Sequence, residues 1–139
     1  MTAVNRIRRA QLWVSLLALA MGALGLWQAW GLGFTDDRGA LVGWPSLELA
    51  TVSFNPLGAL VTLALGFLAV VAVVVGARIL LLAATAGFAA LAVLSLVQAS
   101  GDPGWLGLRG GSSFSLYVAL AVGLFVLDRG ERAALAIGA

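Results

Sequence analysis

The residues able to do chemistry in this chain are few and lie mostly outside its apolar runs. Asp36 and Asp37 are adjacent, and Glu48 follows in the same polar stretch. Such carboxylates suggest cation binding or proton transfer. Adjacent carboxylates without spaced oxygen ligands do not form a calcium loop, and their adjacency offers no acid–base geometry. A solvated turn accounts for them as well. There is no histidine and no cysteine, which removes the commonest general base, thiolate catalysis, disulfides and the usual transition-metal ligands. All eight basic residues are arginine, so Schiff-base chemistry on lysine is excluded. Gly110-Gly111-Ser112-Ser113 is no phosphate loop, because it lacks the Walker-type lysine. The expectation is therefore no catalytic residue, no cofactor, no metal and no enzyme activity.

Polar residues within the apolar runs are Ser15, Gln28, Thr62, Thr85, Ser95, Gln98, Ser115 and Tyr117. Serine and threonine can bond back to their own helices. Gln28 and Gln98 fall near helix ends, where water or each other can satisfy them. No Asp or Glu is expected inside a span, so a proton relay has nothing to run on. Small residues four apart are more informative. They occur at Ala18 and Gly22, at Gly58, Thr62 and Gly66, at Ala83 and Gly87, and at Ser115, Ala119 and Gly123. Such stripes let helix backbones approach closely in lipid, either within one bundle or against another subunit. Asp36, Asp37, Trp44, Trp105 and Arg109 are the candidate contacts in the connecting loops. Interfacial anchoring explains the tryptophans equally well.

These residues are positioned by a chain that is 62% hydrophobic and 10% charged, too apolar for a water-facing domain of this size. Between Asn55 and Ala99 the only charge is Arg78, flanked by apolar runs of roughly 21 residues, each enough to cross a bilayer. This reads as a transmembrane hairpin turning at Gly76-Ala77-Arg78. Asn55-Pro56 supplies an N-cap and a first-turn proline, and Ser100-Gly101-Asp102-Pro103-Gly104 stops the next helix. An arginine-rich start followed by an apolar run resembles a signal peptide. That run exceeds a signal core and lacks a small-residue cleavage site, so an uncleaved helix is expected, with Trp13, Trp27 and Trp30 at the two interfaces.

The expected architecture is all-α: one domain, 1–139, forming a four-helix transmembrane bundle. Its helices cover about 10–32, 56–75, 78–98 and 112–127, with outer loops at about 33–55 and 99–111. The fourth run is short for a span, and Asp128-Arg129-Gly130-Glu131-Arg132 is expected to close it. Leu47 to Phe54 suits either a short strand or a lid on the membrane surface. With four spans, both termini and the Arg78 turn share one side, which carries six of the eight arginines. The positive-inside rule makes that side cytoplasmic, in a bacterial plasma membrane.

The start Arg6-Ile7-Arg8-Arg9, the segment Phe54-Asn55-Pro56-Leu57-Gly58 and the tight Gly76-Ala77-Arg78 turn resemble small four-helix integral membrane proteins of unknown function found in GC-rich actinobacteria. The likeness is one of layout and covers most of the chain. Members of that group often carry histidines near the second and fourth helices, and this chain has none, so no metal or redox role carries over. The plan is also superficially claudin-like, but the cysteine pair is missing.

Taken together, these features predict an accessory or scaffolding subunit of a larger membrane complex. Its partners would be membrane lipid and other membrane-protein subunits, or copies of itself, and not nucleic acid. The alternative is a small oligomeric transporter or channel, with Thr62, Thr85 and Ser95 as its polar seam.

Overall fold

The computed structural model describes residues 2–31, 40–43, 51–54, 56–99 and 113–138. Its elements are α1 (Ala3–Ala29), β1 (Ala40–Gly43), β2 (Thr51–Phe54), α2 (Pro56–Val75), α3 (Arg78–Ala99) and α4 (Ser113–Ala136). The fold is helical, as the sequence predicts, with one small hairpin added. β1 pairs antiparallel with β2, placing Val42 opposite Val52 and Ala40 opposite Phe54, and the hairpin lies mainly against α1. Thr51–Phe54 is thus a strand rather than a lid. Residues 47–50 and the Asn55 cap lie outside the described residues.

Two helix boundaries differ from expectation, for one physical reason. α1 begins at Ala3 instead of near residue 10, with the Thr2 hydroxyl accepting the Asn5 N–H at 3.2 Å. α4 continues to Ala136 instead of ending near Leu127. In both places a cluster of charges marks the edge of the apolar run and not the end of the helix. Arginine, glutamate and alanine are good helix formers, so the backbone continues as helix where the side chains become polar. Gly130 alone, at roughly 1 kcal/mol relative to alanine, is too weak a break to stop it.

The turn between α2 and α3 is local chemistry. Gly76 adopts φ +80°, the left-handed conformation that favours glycine. The Ala77 N–H reaches back to the Ala72 carbonyl at 2.9 Å, closing α2 in the manner of a Schellman cap.

Around the bundle the helices contact in the order α1–α2–α3–α4–α1, and α1–α2 is the most extensive contact. Buried positions on α1 fall at Gln11, Ser15, Ala18, Gly22, Gly25 and Ala29, alternating steps of four and three as in a left-handed helix seam. The interior is made largely of small residues, with Ala18, Ala59, Ala69 and Ala84 fully enclosed. Trp13, Trp27, Phe67, Val74, Ile79 and Val126 point outward. In water such a surface would be an aggregation hazard; in hydrocarbon it costs nothing. Among the described residues three helices, α1, α2 and α3, are long and apolar enough to cross a membrane. The uncharged part of α4, Ser113 to Leu127, is about 22 Å long against a hydrocarbon core of about 30 Å.

The α1–α2 approach depends on two glycines. A Cβ on Gly22 would lie 2.5 Å from the Leu63 backbone nitrogen, and one on Gly66 would lie 2.6 Å from that of Leu19. Backbone cannot swing aside as a side chain can. Gly22→Ala and Gly66→Ala should each destabilise the detergent-solubilised chain by about 1–3 kcal/mol through overpacking. Gly123→Ala, with nothing within 4 Å of its Cβ, should be neutral in the same thermal unfolding measurement.

Candidate functional site

The packing residues predicted from the sequence divide into two groups. Ala18, Gly22, Gly58, Thr62 and Gly66 are buried, and Gly22 and Gly66 sit directly at the α1–α2 contact. A Cβ on Gly87 would first meet the Leu65 side chain, and Ala83 is exposed. On α4, Ser115 and Ala119 are exposed and Gly123 has open space before it. One set of small residues is therefore used inside the chain, while the α4 set meets no partner helix among the described residues. Asp36, Asp37, Trp44, Trp105 and Arg109 lie outside the described residues.

The hydroxyls predicted as a transport seam are turned inward. Thr62, Thr85 and Ser95 are buried and donate to the carbonyls of Gly58, Leu81 and Ala92 at 2.8–2.9 Å. With its only proton committed to Gly58, Thr62 Oγ1 accepts the hydroxyl proton of Tyr117 at 2.7 Å. Tyr117 thereby crosses the bundle from α4 to α2, a pair that is not adjacent in the ring. Its ring lies nearly parallel to that of Phe88, with centroids 6.5 Å apart. One side chain thus links three helices at the bundle centre.

Among the described residues the densest polar grouping is at the arginine-rich end, where the start of α1, the α2–α3 turn and the last turns of α4 meet. Asp128 is 2% exposed and accepts two bonds from Arg78, from Nε at 3.0 Å and from a terminal nitrogen at 3.1 Å. This bidentate geometry is the strong form of the pair, and Arg78 remains half exposed. One turn further along α4, Glu131 accepts from Arg8 Nε at 2.6 Å and from the buried Gln11 amide at 3.0 Å. Together these groups and Arg132 line a cleft of about 230 Å³. The first pair ties α3 to α4, and the second ties α1 to α4.

The sequence reading missed this grouping because it ended α4 at Leu127. The signal was present. Buried positions on α4 run Tyr117, Ala121, Leu124 and Asp128, again in steps of four and three, and the next step is Glu131. A seam that persists through charged residues indicates that those charges face a neighbouring helix and not solvent.

No protein-family model, no curated protein and no solved structure matches this chain. Its functional reading rests on its own residues and geometry.

The Arg78–Asp128 bond implies an asymmetry between variants. Arg78→Gln should lower the melting temperature in detergent more than Asp128→Asn, because it leaves an enclosed carboxylate without its cation. The double variant should melt above the value expected from summing the two single losses. At the centre, Tyr117→Phe should cost about 0.6–1 kcal/mol. Thr62→Val, which leaves the enclosed tyrosine hydroxyl unpaired, should cost about 1–3 kcal/mol. Equal effects in chemical or thermal unfolding would contradict the reading that Thr62 is the sole partner of the enclosed tyrosine hydroxyl.

Proposed function

We propose that this chain is an accessory or scaffolding subunit of a larger membrane complex, acting through helix–helix packing and its connecting loops. One observation carries the reading: the small-residue face of α4, at Ser115, Ala119 and Gly123, is open, whereas the comparable face of α1 and α2 is consumed inside the bundle. Small residues gain little by facing lipid; against another helix they permit close backbone contact. The chemistry available elsewhere is sparse, so a non-enzymatic role fits best. In this reading α4 completes a fourth span with local bilayer thinning. Both termini and the Arg78 turn face the cytoplasm, and the hairpin side faces outward from a bacterial plasma membrane. Kinship with the small four-helix proteins of GC-rich actinobacteria is part of the same proposal.

Two measurements test it. Native mass determination of the tagged chain in mild detergent or native nanodiscs should give a defined complex with other chains. Ala119→Phe should release the partner while leaving the melting temperature of the isolated chain unchanged. A lone monomer in native membranes would falsify the subunit reading, and a clean homo-oligomer would favour the transport alternative. For orientation, the absence of cysteine gives a clean background for single-cysteine labelling. An impermeant maleimide added to intact cells should label Ser46→Cys and spare Thr2→Cys and Ile137→Cys; the reverse pattern would invert the topology.

A further inference from the structure

We infer that the cleft at the arginine-rich end binds the phosphate of an anionic phospholipid headgroup. The inference goes beyond the subunit reading and requires only that the chain sits in a bilayer. The polar groups facing the cleft are Arg8, Gln11, Arg78, Asp128, Glu131 and Arg132, three cations against two carboxylates. The carboxylates do not exhaust the guanidinium donors. An arginine has five N–H donors; Arg78 commits two to Asp128 and Arg8 commits one to Glu131. Arg132 has no ion-pair partner among the described residues. The acidic pairs therefore hold Arg8 and Arg78 in fixed orientations while leaving donors for a third group, and the excess positive charge favours an anion there. Guanidinium forks match the paired oxygens of a phosphate. Arg6, Arg9 and Arg129 lie at the same end of the chain's helices and deepen the positive potential.

Two observations favour a lipid phosphate over a soluble one. The cleft lies beside Gly76 and Ala77, between the ends of two span-length apolar helices, which is the depth of the headgroup layer. Its remaining walls include Val73, Leu81 and Leu135, apolar surface suited to the glycerol and first methylenes of a lipid and of no use to an inorganic ion. Basic pockets between membrane helices are known to hold acidic headgroups on these physical grounds.

The test is native mass spectrometry of the full chain in neutral detergent, titrated separately with phosphatidylglycerol and phosphatidylcholine. Phosphatidylglycerol should bind at least about fivefold more tightly, the effect of roughly one favourable basic contact at a membrane surface. Arg132→Gln should reduce phosphatidylglycerol binding about fivefold and leave phosphatidylcholine unchanged. Arg129→Gln, whose guanidinium lies over Phe125, should have little effect. Ala77→Glu, which adds a carboxylate to the cleft wall, should abolish the preference independently of Arg132. Equal binding of the two lipids, or equal losses in Arg129→Gln and Arg132→Gln, would overturn the proposal in favour of diffuse surface charge. Displacement of phosphatidylglycerol by millimolar inorganic phosphate would overturn the lipid assignment and indicate a soluble anion.

Discussion

Hydrocarbon offers no hydrogen bonds, and the structure is governed by that constraint. Every polar group carried into the bundle must find its partner within the chain. The chain meets the condition in two ways. Ser15, Thr62, Thr85 and Ser95 return their protons to carbonyls of their own helices. Tyr117, Gln11 and Asp128 reach across to Thr62, Glu131 and Arg78 on other elements. Among the described residues no buried side-chain nitrogen or oxygen lacks a partner. The first kind of bond adds nothing to helix association. The second kind specifies which helices meet and at what height, so the fold's uniqueness rests on a few long polar side chains.

What brings the helices together is a separate matter. Burial of apolar area is a weak incentive in lipid, and contact must come from close fit. The chain accordingly lines the α1–α2 seam with small residues and leaves many large apolar side chains facing outward. At Gly22 and Gly66 the backbones of α1 and α2 are so close that neither position has room for a methyl group. At the bundle centre, where small residues alone would leave a void, the Tyr117 and Phe88 rings occupy the space. Tight seam and filled centre are complementary: the first holds neighbouring helices, and the second spans the diagonal.

At the arginine-rich end the same rules apply to charged side chains. Asp128 is enclosed, whereas Arg78 is half exposed, so the pair straddles the boundary, with its costly charge protected and its cation facing outward. Glu131 repeats the arrangement one turn along with Arg8 and Gln11. These pairs hold α4 to the start of α1 and to the α2–α3 turn, and they hold the Arg8 and Arg78 guanidinium groups against the bundle. The ion pairs that fix the bundle at this end and the cleft that presents the arginine donors are thus the same piece of construction.

Sequence alone determined the helical class, the span-length hairpin turning at Gly76, the absence of histidine, cysteine and lysine, and the spacing of the small residues. These follow from local causes: apolar run length, a glycine at positive φ, and composition. It misjudged where α1 starts and where α4 ends, because a charge cluster signals where lipid stops and says little about where helix stops. Tertiary structure decided which small stripes are internal, since Gly66 and Gly123 look alike in a string and differ only in what stands opposite them. It also decided the pairing of Arg78 with Asp128, fifty positions apart in the chain, and of Thr62 with Tyr117. Such contacts depend on the rotation and height of whole helices about one another. No window of sequence carries that information, because it is set jointly by every residue along the seams.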